Sequence, residues 1–158
     1  MGRILDLSLA LYFLFHIPIT LLFASQVVIG PLSFPKWMNN ILYMAIKSTQ
    51  DPLLKMAISP TDRQAWAVSI FWQELIIQLP LFVLLAYYLI VDSKSKYFEW
   101  TSILYSGQAI GCFIPIMVHL YVETGTRLIP SYITFGIMPI VLLYRTVIAK
   151  KGIKPKTL

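Results

Sequence analysis

The chain has 158 residues, 58% of them hydrophobic and 13% charged, with a net charge of +6 and a mean hydropathy of +0.72. That balance belongs to a membrane protein and leaves room for one small helical bundle and no soluble domain. The basic residues are scattered and no basic segment is interleaved with aromatics, which argues against a nucleic-acid partner, and the single cysteine, Cys112, excludes an intrachain disulfide.

The first apolar run, 4–29, predicts a transmembrane helix. It is longer than a signal-peptide core of roughly 7–15 residues, and no small-x-small cleavage site follows, so it reads as a retained span. It carries His16, Pro18 and Thr20, and Pro18 predicts a kink near mid-span. Gly30-Pro31 stops it. A long connection follows, 31–63. Within it, 36–47 repeats apolar residues at helical spacing and predicts an amphipathic helix at the membrane interface. Asp51-Pro52-Leu53-Leu54 reads as a helix start, with Asp51 as the cap and Pro52 at the first helical position. Ser59-Pro60-Thr61-Asp62 leads into the second span in the same way.

The remaining spans are read at 66–91, 97–122 (with Pro115 inside) and 128–149 (with Pro130 near its start and Pro139 within). Each exceeds the roughly 20 residues that cross a bilayer as a helix. Short polar turns at 92–96 and 123–127 make successive helices antiparallel neighbours. Residues 150–158 form a basic tail. The fold class is therefore all-α: an integral membrane four-transmembrane-helix bundle, one domain over 1–158, with no internal repeat.

Four spans put both termini on one side of the membrane. That side holds Arg3, Lys94, Lys96, Arg145, Lys150, Lys151, Lys154 and Lys156; the other holds Lys36, Lys47, Lys55, Arg63 and Arg127. The bias places both termini in the cytosol. Lys154 and Lys156, fifth and third from the end, match a dilysine-type retrieval signal of the endoplasmic reticulum. The alternative is a stop-transfer anchor facing anionic lipid.

Glu74 is the acid that falls well inside an apolar run, roughly 12 Å in from Trp66 at the helical rise. An ionisable group at that depth costs about 2.5–3.5 kcal/mol on insertion scales, which makes it a functional candidate. Gln78 follows four residues on, on the same face. In the third span Tyr105, Gln108, Cys112 and Pro115 recur at spacings of three and four, a mildly polar stripe expected to face inward opposite Glu74. Gly107 and Gly111, four apart, are expected to let helices pack closely. His16 reads either as an acid–base group or as a structural hydrogen-bonding partner; His119 falls near a span end. No acids, histidines or cysteines have metal-ligand spacing, and there is no phosphate-binding glycine loop or nucleophile elbow, so no metal, cofactor or catalytic group is expected.

Several pieces coincide in order and spacing: residues 11–20 (Leu-Tyr-Phe-Leu-Phe-His-Ile-Pro-Ile-Thr), Asp51-Pro52-Leu53-Leu54, Glu74-Leu75-x-x-Gln78-Leu79-Pro80, Ile103-Leu104-Tyr105-Ser106 and Ile114-Pro115-Ile116. In this combination the chain resembles the sigma-2 receptor-like members of the EXPERA (emopamil-binding protein) superfamily over nearly its whole length. The resemblance implies a four-helix endoplasmic-reticulum protein, often a homodimer, with a cavity open sideways to the membrane that takes sterols and amphipathic amines. It implies ligand-binding roles for Glu74, Gln78, Cys112 and Tyr132 and a structural role for Asp51. One position departs: the family's helix-one aspartate falls on Ala24, beside Ser25, so a two-carboxylate amine site is absent. Either Glu74 takes a ligand charge alone or the ligand is neutral.

The resulting expectation is a non-enzymatic protein that binds a sterol or other flat lipid with one hydroxyl, its polar end met by Glu74, Gln78, Tyr105 and Tyr132 with Cys112 and His16 in the same pocket, and that serves in sterol handling or trafficking. A sterol isomerase is the enzymatic alternative. The other is a protein-targeting or quality-control factor, as in a fungal branch linked to mitochondrial precursors, using the long loop or the tail to engage a membrane-protein partner.

Overall fold

The computed structural model describes residues 2–59, 61, 63–93 and 95–148, with no side-chain description for Ile148. Every regular element among the described residues is helical: α1 (Gly2–Ile29), a 3-10 turn (Pro31–Ser33), α2 (Lys36–Thr49), α3 (Pro52–Lys55), α4 (Ala65–Gln73), α5 (Leu79–Ile90), α6 (Lys96–Thr124) and α7 (Ile129–Leu143). A π-helical turn, Glu74–Gln78, joins α4 to α5 without a break, and a second, Tyr144–Ile148, continues α7. Four segments are long and apolar enough to cross a bilayer: Gly2–Ile29, Ala65–Ile90, Lys96–Thr124 and Ile129–Val147. The span expectations hold to within two residues at each described end. The retrieval-signal reading of Lys154 and Lys156 falls outside the described residues.

These helices are apolar all round because their outer faces meet hydrocarbon. Ile4, Phe15, Leu104, Val118 and Ile140 all point outward. A helix closes its own backbone hydrogen bonds, which is what a medium without water requires. The ends are closed locally. Ser95 accepts from the Phe98 amide at 3.2 Å and starts α6. Gly30 and Gly125 take positive φ, 102° and 61°, where α1 and α6 stop. Gln64 holds the N-cap position of the second span, which begins at Ala65, a few residues after the start signal read at 59–62. Pro60 and Asp62 of that signal lie outside the described residues.

Inside, α1 packs most extensively on α5, and α6 on α7. Two apolar clusters result. One, near the chain termini, is built on Leu9, Phe13, Phe82, Leu85, Tyr105 and Leu142. The other, at the loop end, gathers Val27, Leu42, Leu53, Met56, Leu120 and Leu128, so α2 and α3 are packed onto the bundle rather than free of it.

Polar contacts tie the terminal end together. The Arg3 guanidinium donates to the carbonyls of Leu89 and Ile90, the last two residues of α5, at 3.0 and 2.8 Å. Arg145, on the second π-turn, grips Asp6 with two parallel hydrogen bonds of 2.6 and 2.8 Å and lies 5.3 Å over the Phe98 ring. Asp6 is only 2% exposed.

The glycine expectation is corrected. Among the described residues, a Cβ at Gly107 or Gly111 would meet nothing within 4 Å, so neither glycine brings two of the described helices together. That role belongs to Gly136 on α7. A Cβ there would sit 2.5 Å from the Phe113 ring of α6. Beside it, Ser106 donates to the Pro139 carbonyl at 2.9 Å and locks the same pair of helices.

Candidate functional site: an intramembrane cavity

Between the two apolar clusters lies a cavity, partly open to the outside, with about 140 Å³ of room for the centres of water-sized molecules. Its walls come from α1 (Tyr12 to Ala24), the α4–π segment (Ile70 to Gln78), α6 (Tyr105 to Ile116) and α7 (Tyr132, Phe135), and Leu53 of α3 closes the loop end. In size it matches a cavity that takes one benzene-sized ring, so it holds one end of a large lipid and not the whole. Glu74 lies nine residues inside the span start at Ala65, roughly 14 Å at the helical rise. The polar part of the cavity therefore sits in the membrane half nearer the long loop.

Glu74 occupies the first position of the π-turn. Pro80 follows closely and brings no N–H to the helical ladder, which a locally widened turn absorbs. Thr20 on α1 donates to Glu74 Oε1 at 2.5 Å. His16, one turn away on α1, places Nε2 at 3.7 Å from the same oxygen. The imidazole is held edge-on between Phe82 (4.8 Å) and Phe135 (5.0 Å) and leans on Tyr12 at 5.2 Å. Threonine, histidine and glutamate thus form one patch across two helices. Tyr12 and Tyr105 line the cavity beside it.

Each candidate from the sequence is accounted for. Glu74, Gln78, Tyr105, Cys112, Tyr132 and His16 all line the cavity. The Tyr132 hydroxyl, however, is turned to Asp51, donating to Oδ2 at 2.5 Å. Asp51 is buried and does double duty. Its Oδ1 caps α3 by accepting from the Leu53 amide at 2.8 Å and the Leu54 amide at 3.4 Å, as the sequence predicts. The Asp51–Tyr132 bond therefore fixes the loop that carries Leu53 over the cavity. Of the predicted α6 stripe, Pro115 faces outward and does not join the site. Gln108 and Cys112 both turn to Gln73 Oε1, at 3.4 and 3.6 Å. Thr20, Tyr12 and Phe135 were not singled out as site residues by sequence; a hydroxyl one turn from His16 was the available signal. Ala24 lines the cavity and is fully buried, so the place matching the family aspartate is an apolar piece of wall. Among the described residues no three of His, Cys, Asp or Glu group as a metal site.

Residues 37–146 match the family described as EBP: EXPERA (EXPanded EBP superfamily). The chain belongs to the EXPERA family. Proteins called sigma intracellular receptor 2 are similar to it. Those of Homo sapiens and Macaca fascicularis are 35% and 34% identical over 115 residues, 73% of this chain and 61% of each relative. That of Xenopus tropicalis is 31% identical over 119 residues, 75% of this chain and 66% of the relative. The matches thus span less than two thirds of these relatives' length. The EXPERA match begins at residue 37, so it covers the Glu74 wall, α6 and Tyr132 but not the α1 wall that carries His16, Thr20 and Ala24.

Proposed function

We propose that this EXPERA protein binds a sterol, or a related flat lipid with one hydroxyl, with the hydroxyl-bearing end in the cavity, and that it serves in sterol handling or trafficking. It resides in the endoplasmic-reticulum membrane with both termini in the cytosol. What carries this reading is the cavity at Glu74: apolar and aromatic walls around a small polar patch set within the depth of the membrane. Apolar walls bury rings, and a few placed polar groups fix orientation. The cavity's size suits the first ring of such a lipid, and its opening lets the remainder lie outside it.

The reading is of a binding protein rather than an isomerase. Moving a double bond along a ring system needs an acid and a base addressing different carbons. Here Thr20 and His16 both converge on one oxygen of Glu74.

Photo-crosslinking of the full chain in lipid bilayers with a sterol probe tests the reading. Labelling is expected to fall with excess unlabelled sterol and to drop about tenfold in Glu74→Gln, the scale of one lost hydrogen bond. Labelling indifferent to both would overturn it.

A further inference from the structure

Arg63 joins three parts of the loop end. Its Nε–H donates to the Met56 carbonyl, just behind α3, at 3.1 Å. Its Nη2 lies against the turn that ends α1, 3.5 Å from where a Cβ on Gly30 would stand. Two residues later Ala65 opens the second span. The side chain is half-buried, yet among the described residues no carboxylate pairs with it; the ion pairs there are Asp6–Arg145 and His16–Glu74. Asp51, the buried acid of this end, is committed to the α3 cap and to Tyr132. Arg63 differs in this from Arg145, which grips Asp6, and from Arg3, whose terminal nitrogens meet the carbonyls of Leu89 and Ile90. With Nε spent on Met56, the terminal nitrogens of Arg63 remain as an open two-pronged donor.

Depth says what meets that fork. The headgroup layer is about 5–8 Å deep on each side of the hydrocarbon. Two extended residues cover roughly 7 Å. Arg63 therefore stands at the level of the lipid phosphates, and Trp66 takes the interfacial place where aromatic rings collect. A guanidinium fork matches the two non-bridging oxygens of a phosphodiester with parallel hydrogen bonds. Lys36 and Lys47 are exposed on α2, Lys55 ends α3, and residues 31–50 contain no acid, so the surroundings also draw an anion. The position matters to the cavity. Leu53 of α3 covers its loop end. That cover is fastened in front by Asp51 to Tyr132 and behind by Met56 to Arg63. A phosphate that holds Arg63 holds the rear fastening.

We infer that Arg63 binds the phosphodiester of a phospholipid in the loop-side leaflet and thereby clamps the α3 cover. This concerns a second lipid at the rim of the bundle and stands independently of the sterol reading. The test is hydrogen exchange, read by mass spectrometry, on the purified full chain in a maltoside detergent. Phosphatidylglycerol, diacylglycerol with the same acyl chains, or inorganic phosphate is added in turn. The amides of 53–59 that bond to Asp51, Leu54 and Lys55 report on the cover. Phosphatidylglycerol is expected to slow their exchange about tenfold, the scale of one hydrogen bond to a charged group. Diacylglycerol and inorganic phosphate should leave it unchanged, and so should all three additives in α5, at the far end of the bundle. In Arg63→Gln the effect of phosphatidylglycerol should vanish; Arg63→Lys, with the charge but not the fork, should keep part of it. Diacylglycerol as effective as phosphatidylglycerol overturns the inference, because the acyl chains then suffice. Inorganic phosphate as effective overturns it in favour of a free-anion site. Equal slowing in α5 overturns it in favour of general stabilisation by lipid. These three outcomes are read on the unmodified chain and hold whether or not the variants fold. A full effect of phosphatidylglycerol in Arg63→Gln overturns it as well.

Discussion

Thr20 on the first span hydrogen-bonds Glu74 on the second at 2.5 Å, across the wall of the cavity. The bond is polar glue between helices in a medium that offers no hydrophobic drive for their association. Thr20→Val keeps the shape and removes the donor. It should lower stability in detergent by about 0.5–2 kcal/mol, read as a lower thermal midpoint, and Thr20→Ser should restore most of the loss.

The Asp6–Arg145 pair predicts a different pattern. Removing one member leaves the other charge buried without a partner, which costs about 3–5 kcal/mol in a dry site. Arg145 is partly exposed at the span end, so the lower part of that range applies. Arg145→Met should therefore destabilise more than the double change Asp6→Leu with Arg145→Met. Thermal unfolding of Arg145→Met, Asp6→Leu and the double variant checks it, and a double variant weaker than both singles would show that the pair is not the reason Asp6 is tolerated.

Gly136→Ala should destabilise by about 1–3 kcal/mol, because the added methyl enters the space of the Phe113 ring. Gly107→Ala and Gly111→Ala should be neutral or slightly stabilising, since alanine favours the helix and meets no neighbour among the described residues. A marked loss at Gly107 or Gly111 would point to a contact with a second copy.

Helix α2 has three sectors. Leu42 and Ile46 face the bundle. Trp37, Ile41 and Met44 form one exposed edge, and Lys36, Asn40 and Lys47 the other. The apolar edge is expected to dip into the bilayer and the basic edge to meet headgroups and water. A nitroxide at Met44 or at Lys47, each in a Cys112→Ser background, checks this by relaxation. The label at 44 should be more accessible to oxygen than to a water-soluble nickel chelate, and the label at 47 the reverse.

The spans were legible because long apolar runs admit little else. The Asp51 cap was legible because Asp-Pro at a helix start is a local signal. What escaped the sequence was relational. Asp6 and Arg145 are 139 residues apart, and each alone reads as a charge at a membrane edge. The spacing of Gly107 and Gly111 says that a smooth face exists, not which neighbour meets it, and among the described residues none does. The π-turn at Glu74–Gln78 depends on where the chain absorbs the missing N–H of Pro80, and period-based reading assumes 3.6 residues per turn throughout. Glu74 and Gln78 were visible as polar residues at depth. That Thr20 and His16 both meet Glu74 on one oxygen is a matter of side-chain placement.

The most direct measurement is an experimental structure of the full chain purified with saturating sterol. The account predicts elongated density entering the cavity, its polar tip about 3 Å from Glu74 and Gln78 and its far end outside the cavity. An empty cavity at saturation, or density whose polar tip points away from Glu74 and Gln78, would contradict it.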